Sequence, residues 1–190
     1  VVGSRGLGPL RRALMGSVSE SVLHHAHASV LVVRGKPITL PTRVLVALDG
    51  SEEASAAARA AVEMTGATGS ELHVVHVGEV RPVWHPERHG YLVRYETLQE
   101  EAQQLLDEQV ERIGAAGGSV ARAHHRMGRP DEEIVMLGEE IGAGLIVTGS
   151  RGLGELRRAL IGGVSSSVVA HAHSPVLVVR ESEAKSHSKR

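Results

Sequence analysis

The chain has 190 residues, 42% hydrophobic and 23% charged, which suits one globular domain with a fragment of another. It has no Cys and no Phe, with one Trp and two Tyr, so disulfides and thiolate chemistry are excluded and the core must be aliphatic. A formal net charge of −1 and so few aromatics offer nucleic acid neither a basic face nor a stacking platform, and no apolar run reaches the roughly 18 residues a membrane span needs.

In chain order, residues 3–34 come first, and they recur at 149–180 with 24 of 32 positions identical at a constant offset of 146. An offset as long as a domain reads as a tandem protein that has lost most of its first domain. Residues 1–34 are then the C-terminal remnant of that domain, a helix and a strand. Residues 35–42, with Pro37 and Pro41, are a linker, and 43–180 form one complete unit. The polar end, 181–190, reads as a disordered tail.

Within the complete unit, Arg43–Asp49 (RVLVALD) is a buried strand ending in a polar turn. Ser51–Thr65 is an Ala-rich helix with Ser51 as N-cap and glutamates in its first turn. Glu71–Val77 is a second strand and residues 79–91 a polar loop. Tyr95–Ile113 is a long helix and Val120–Met127 a third strand. A Gly128–Asp131 turn leads into a helix over Glu132–Ile141, and Leu145–Thr148 is a fourth strand. A helix beginning near Val164 and a last strand, Val176–Val179, complete the series. Strands alternating with helices predict an α/β fold, a five-stranded parallel sheet covered by helices on both faces, Rossmann-like, in the order 3-2-1-4-5. Ligands of such sheets bind beyond the carboxyl ends of the strands, where the order reverses, and the first and fourth strands there end in Asp49 and Gly149.

Gly149-Ser150-Arg151-Gly152, nine residues and then Gly162-Gly163-Val164-Ser165 join a strand to a helix. Side-chain-free backbone and the positive end of a helix dipole together suit a phosphate, with the Ser165 hydroxyl as a further donor. The loop is not a Walker loop, because no Gly-Lys-Ser/Thr follows, and it is not a dinucleotide fingerprint, because its glycines follow the fourth strand. A tight turn is the plainer use of the same glycines. Asp49 serves either a ligand or the helix that follows it. Arg151, Arg157 and Arg158 lie in or beside the loop, as triphosphate partners or as a solvated face.

The Gly-2x-Gly-9x-Gly pattern resembles the nucleotide loop of the universal stress protein family, as do VALDGS at 46–51, HVVHV at 73–77, MGRPDEEIV at 127–135 and SPVLVVR at 174–180. The resemblance covers 43–180 and, separately, 3–34. It implies that ATP is bound with Mg. Ala47 and Val77 would line the adenine, and Asp49 would approach the nucleoside and its divalent cation. Gly149, Gly152, Gly162, Gly163, Val164 and Ser165 would hold ribose and phosphates, and Thr148 belongs to the same nucleotide-binding set. Where the family has Ser or Thr this chain has Gly163, although the first copy keeps Ser17. One lost hydroxyl donor costs on the order of 1 kcal/mol, roughly several-fold in affinity. The remnant, with Gly3, Gly6, Gly16 and Ser17, lacks the first two strands of its own domain and cannot form a second site.

The function implied is a cytoplasmic, ATP-binding sensor or regulatory module, with no nucleic-acid or membrane partner. Its self-partner is a homodimer or an internal pseudo-dimer formed through Val176–Val179 and Val30–Val33, since an uncovered aliphatic edge invites pairing. An interaction module that binds no nucleotide is the second reading and a slow ATPase the third. No strand–Ser elbow surrounds Ser51 and no positioned general base is visible, so no catalytic residue is assigned. His171 with His173, and adjacent His124 with His125, diverge rather than converge on a metal. Trp84, His85 and His89 in the 79–91 loop read as a surface excursion, with a lid over the nucleotide as the alternative.

Overall fold

The computed structural model describes residues 1–3, 17–33, 40–79, 83–85, 90–92, 95–151 and 161–180. The elements in chain order are β1 (Val2–Gly3), α1 (Ser17–His25), β2 (Val30–Val33), β3 (Arg43–Ala47), α2 (Glu52–Thr68), β4 (Glu71–Gly78) and β5 (Val83–His85). They continue with β6 (Gly90–Leu92), α3 (Tyr95–Ala115), β7 (Arg122–Met127), α4 (Pro130–Glu140), β8 (Leu145–Gly149), α5 (Gly163–His171) and β9 (Val176–Val179).

The strands are apolar on both faces, as a sheet covered on both sides requires. Val44 and Val46 of β3, Leu72 and Val74 of β4, and Leu145 and Val147 of β8 pack on one side with Ala54, Ala57, Ala58 and Ala61 of α2 and Leu106 of α3. Leu45, Val75, Val77 and Ile146 alternate to the other side, against Ile134 and Leu137 of α4, Val168 and Val169 of α5 and Leu23 of α1. Ser51 caps α2: its hydroxyl oxygen accepts from the Ala54 N–H at 3.1 Å. Gly50, at φ +85°, makes the left-handed turn that connects β3 to that cap.

The main sheet differs from the five-stranded parallel one predicted. Among the described residues it has seven strands, in the order β1-β2-β9-β8-β3-β4-β7. β7, β4, β3, β8 and β9 are mutually parallel, but β2 joins β9 antiparallel and β1 lies parallel to β2. The reason is the free edge of β9, whose unpaired N–H and C=O groups accept a strand of the same sequence, VLVV. Leu31 pairs with Leu177, flanked by Val30 with Val178 and Val32 with Val176, so the junction has a local two-fold character.

The repeat is structural as well as sequential. α1 and α5 begin and end at positions offset by the same 146 residues, as do β2 and β9. Ser19 donates to the Gly3 carbonyl, and Ser165 does the same to Gly149 at 2.7 Å. The predicted loop at 79–91 also needs correcting, because it contains a small antiparallel hairpin in which Trp84 pairs with Tyr91. The linker residues 35–39 and the tail 181–190 lie outside the described residues.

Replacing Ser51 with Ala removes the cap of α2 at a position only 5% exposed. The expected cost is about 1 kcal/mol of unfolding free energy, read as a lower urea midpoint with an unchanged slope.

Candidate functional site

In a parallel sheet the helices run back against the strands, so their N-termini gather at the carboxyl edge. β3 lies between β4 on one side and β8 on the other, and the chain leaves it in opposite directions, which opens a crevice there. The starts of α2 at Ser51, α4 at Pro130 and α5 at Gly163 lie at this edge.

A close backbone contact builds the floor. A Cβ on Gly149 would lie 2.8 Å from the Glu53 carbonyl carbon and 3.0 Å from the Ala54 nitrogen, so only glycine lets the end of β8 meet the first turn of α2. Ser150 then ties the loop at both ends. Its N–H donates to Val179 at 2.8 Å, and its carbonyl accepts from the Gly162 N–H at 2.6 Å. Gly162 is the N-cap of α5 and provides no side-chain cap, so Gly163, Val164 and Ser165 begin the helix with backbone alone. A Cβ on Gly163 would meet nothing within 4 Å.

Thr148, 3% exposed, lies one residue before this contact, and its hydroxyl makes no hydrogen bond among the described residues. Strand alternation turns it to the α4/α5 side, the side of Ala47 and Val77. A buried hydroxyl without a partner costs about 1–3 kcal/mol, so its place at this edge is evidence that something polar belongs beside it. Val77, 8% exposed, and the half-buried Ala47 pack into the α4/α5 cluster at the ends of their strands. Asp49 Oδ1 accepts from the Ser51 N–H at 3.0 Å, so Asp49 orders the turn into α2 while Ser51 caps it.

Two residues behave differently from what their sequence positions suggest. The buried Ser165 hydroxyl gives its proton to the Gly149 carbonyl, so it braces the loop, and only its backbone N–H remains for an anion. Arg151 pairs with Glu53 at 3.1 Å, which fastens the loop to α2. Gly152, Arg157 and Arg158 lie outside the described residues, as does His89; of Trp84 and His85 only the backbone in β5 is described.

A cavity of about 730 Å³ opens between α4 and α5, lined by Glu79, by Gly128–Asp131 and by Gly163, Val164 and Ser167. Glu79, Asp131 and Ser167 are not among the site residues expected from the sequence. The Ser167 hydroxyl donates to Asp131 Oδ2 at 2.7 Å, and Arg129 reaches Asp131 at 3.1 Å and Glu132 at 2.7 Å. Burial pushes the Asp131 carboxyl up, but the Ser167 hydroxyl, the Arg129 guanidinium and backbone N–H groups at the start of α4 outweigh it and hold the group below its usual value. The first turn of α4 thus carries a carboxylate of its own, whereas the first turn of α5 has no acidic residue. The signal in the sequence was Pro130-Asp131 opening a helix, but its partner Ser167 lies 36 residues away.

Several histidines have other partners. His171 accompanies Ser167 on α5, His173 pairs with Glu139 at 2.5 Å, and His124 stacks on His73, with no metal-binding group of three among the described residues.

The sequence pattern of the universal stress protein family matches residues 1–34 and 41–180. The chain belongs to the universal stress protein family. A universal stress protein of Mycolicibacterium smegmatis is 34% identical over 189 residues, 95% of this chain and 60% of its own. The crystal structure of a universal stress protein from Archaeoglobus fulgidus shares 32% identity with a TM-score of 0.64, over 96% of this chain and 60% of its own. This chain therefore spans about 60% of the length of these relatives. A universal stress protein crystallised in complex with cAMP has the same fold, with a TM-score of 0.58 over 74% of this chain and 98% of its own, at 24% identity. No helix among the described residues is long and apolar enough to cross a membrane.

Because the folded-state Asp131 value is depressed, its contribution to stability is complete above the ordinary value of 3.8 and is lost as pH falls through the lower folded value. Asp131→Asn is expected to lower stability by about 1 kcal/mol near pH 7. The two unfolding free energies should converge well below pH 3.8, which a urea series at stepped pH reads directly.

Proposed function

We propose that this chain binds ATP with a divalent cation in the crevice beyond β3 and β8, and acts in the cytoplasm as a nucleotide-responsive regulatory module. The observation that supports this reading is the pairing of an α5 start made of bare backbone with the buried Thr148 hydroxyl, which has no hydrogen-bond partner among the described residues. In this proposal phosphates lie against the N–H groups of Gly163, Val164 and Ser165, with Gly149, Gly152 and Gly162 shaping the loop. Ala47 and Val77 form the apolar wall for adenine, and Asp49 turns towards the cation. ATP supplies the charge that the dipole of α5 attracts, and its presence or absence is the signal.

We further propose that residues 1–34 belong to a preceding unit of the same fold, so that the β2–β9 junction is a pseudo-dimer contact within one protein. The repeated Ser–Gly tie, the equal offset of α1 from α5, and the greater length of the relatives support it. A second reading, an interaction module without nucleotide, is favoured by Gly163 in place of a hydroxyl residue and by the prior use of the Ser165 proton.

Calorimetric titration with Mg-ATP, and with GTP as control, separates the two readings. Micromolar ATP binding with little for GTP is expected. Gly163→Ser, for which the structure has room, should tighten it several-fold, about 1 kcal/mol. A folded chain that gives no heat with ATP, in either form, overturns the nucleotide reading.

A further inference from the structure

The ladder between β4 and the edge strand β7 carries four histidines, two on each face. On the α4 side, the His73 and His124 rings stack with centroids 5.3 Å apart and an interplanar angle of 16°. His73 Nδ1 lies 3.0 Å from His124 Nε2, a hydrogen bond in which one ring donates and the other must accept. His73 is only 8% exposed. On the α3 side His76 stands opposite His125 in register; His76 Nδ1 is 2.8 Å from the Leu48 carbonyl, and the buried His125 Nε2 has no partner among the described residues.

We propose that the His73–His124 pair is an acid-sensitive latch that holds β7 to the sheet while at least one ring is neutral and releases it when both are protonated. Two imidazolium rings would present N–H to N–H across 3.0 Å with no acceptor left between them. The surroundings add to the repulsion. Arg122 stands opposite His73 in register, and Arg126 and Arg43 lie on the same face. Of the carboxylates, Glu71 reaches His73 at 3.7 Å but is bonded to Arg43 at 3.0 Å, and Glu140, from α4, is taken up by Arg126 at 2.5 Å. Burial, then the charges of His73, Arg122 and Arg126, pull His124 below its ordinary value, with Glu140 opposing. On the other face burial and His76 lower His125, while Glu100, Asp107, Glu108 and Glu111 of α3 line the groove it borders. A histidine lowered on folding costs stability progressively as pH falls below its unfolded value of 6.5. The consequence reaches the crevice, because β7 runs straight into Gly128 and Asp131, which wall the cavity between α4 and α5.

The test is amide hydrogen exchange of the whole chain from pH 7.5 to 5, corrected for intrinsic rates. Opening of β7 is expected to rise by about tenfold per pH unit for each proton taken up, ahead of β3 and β8. The double variant His73→Gln/His124→Gln should flatten that rise. A β7 response no larger than that of β3 in the natural chain, or one that persists at full size in the folded double variant, overturns the proposal. The first comparison needs no variant, so misfolding of the double variant does not shield it.

Discussion

The close approach of Gly149 to the first turn of α2 is the contact on which the rest of the site depends. It brings backbone to backbone where a Cβ would lie within 3.0 Å of Glu53 and Ala54 backbone atoms. That contact places the β8–α5 loop, the Asp49–Ser51 turn and the Arg151–Glu53 pair at one point on the sheet edge. The glycine needed by a ligand loop is therefore first a packing requirement. Conformational freedom explains less here than the absence of a Cβ.

The same construction appears a second time, in part, where Ser19 holds Gly3 at the start of α1. The two copies meet along β2 and β9, whose identical VLVV sequences pair about Leu31 and Leu177. Both faces of this junction are apolar, with Val30, Val32, Val176 and Val178 on one side and Leu31 and Leu177 on the other. An aliphatic edge is covered by its own counterpart, which removes the exposed strand that either copy alone would present. Two of the differences between the copies lie near the site: Val2 occupies the place of Thr148, and Ser17 that of Gly163.

Much of this was legible in the sequence because it is local. Val44 to Ala47 and Leu145 to Thr148 read as buried strands, and Ser51 read as a cap from its position before Glu52 and Glu53. The Gly162-Gly163 pair read as a helix start without a side chain. What was not legible depends on partners far along the chain. The pairing of Val30–Val33 with Val176–Val179 was expected from the repeated VLVV, but β1, which extends the sheet beyond it, was not. The hairpin of β5 and β6 has no Asn-Gly or Asp-Gly turn to announce it. Ser165 looked like an anion donor because its neighbours did, but donation to Gly149 uses its proton. Asp131 acquires its character from Ser167, and His73 from His124, 51 residues away.

The claim at the centre of this account is that Thr148 and the bare start of α5 together receive phosphate. A crystal structure of the chain with Mg and a non-hydrolysable ATP analogue addresses it most directly. The expected result is a phosphate oxygen within hydrogen-bond distance of the N–H groups of Gly163–Ser165, with the Thr148 hydroxyl joined to the nucleotide or to a water that it holds, and adenine against Ala47 and Val77. An analogue bound elsewhere on the chain, with Thr148 still unpartnered, would contradict it.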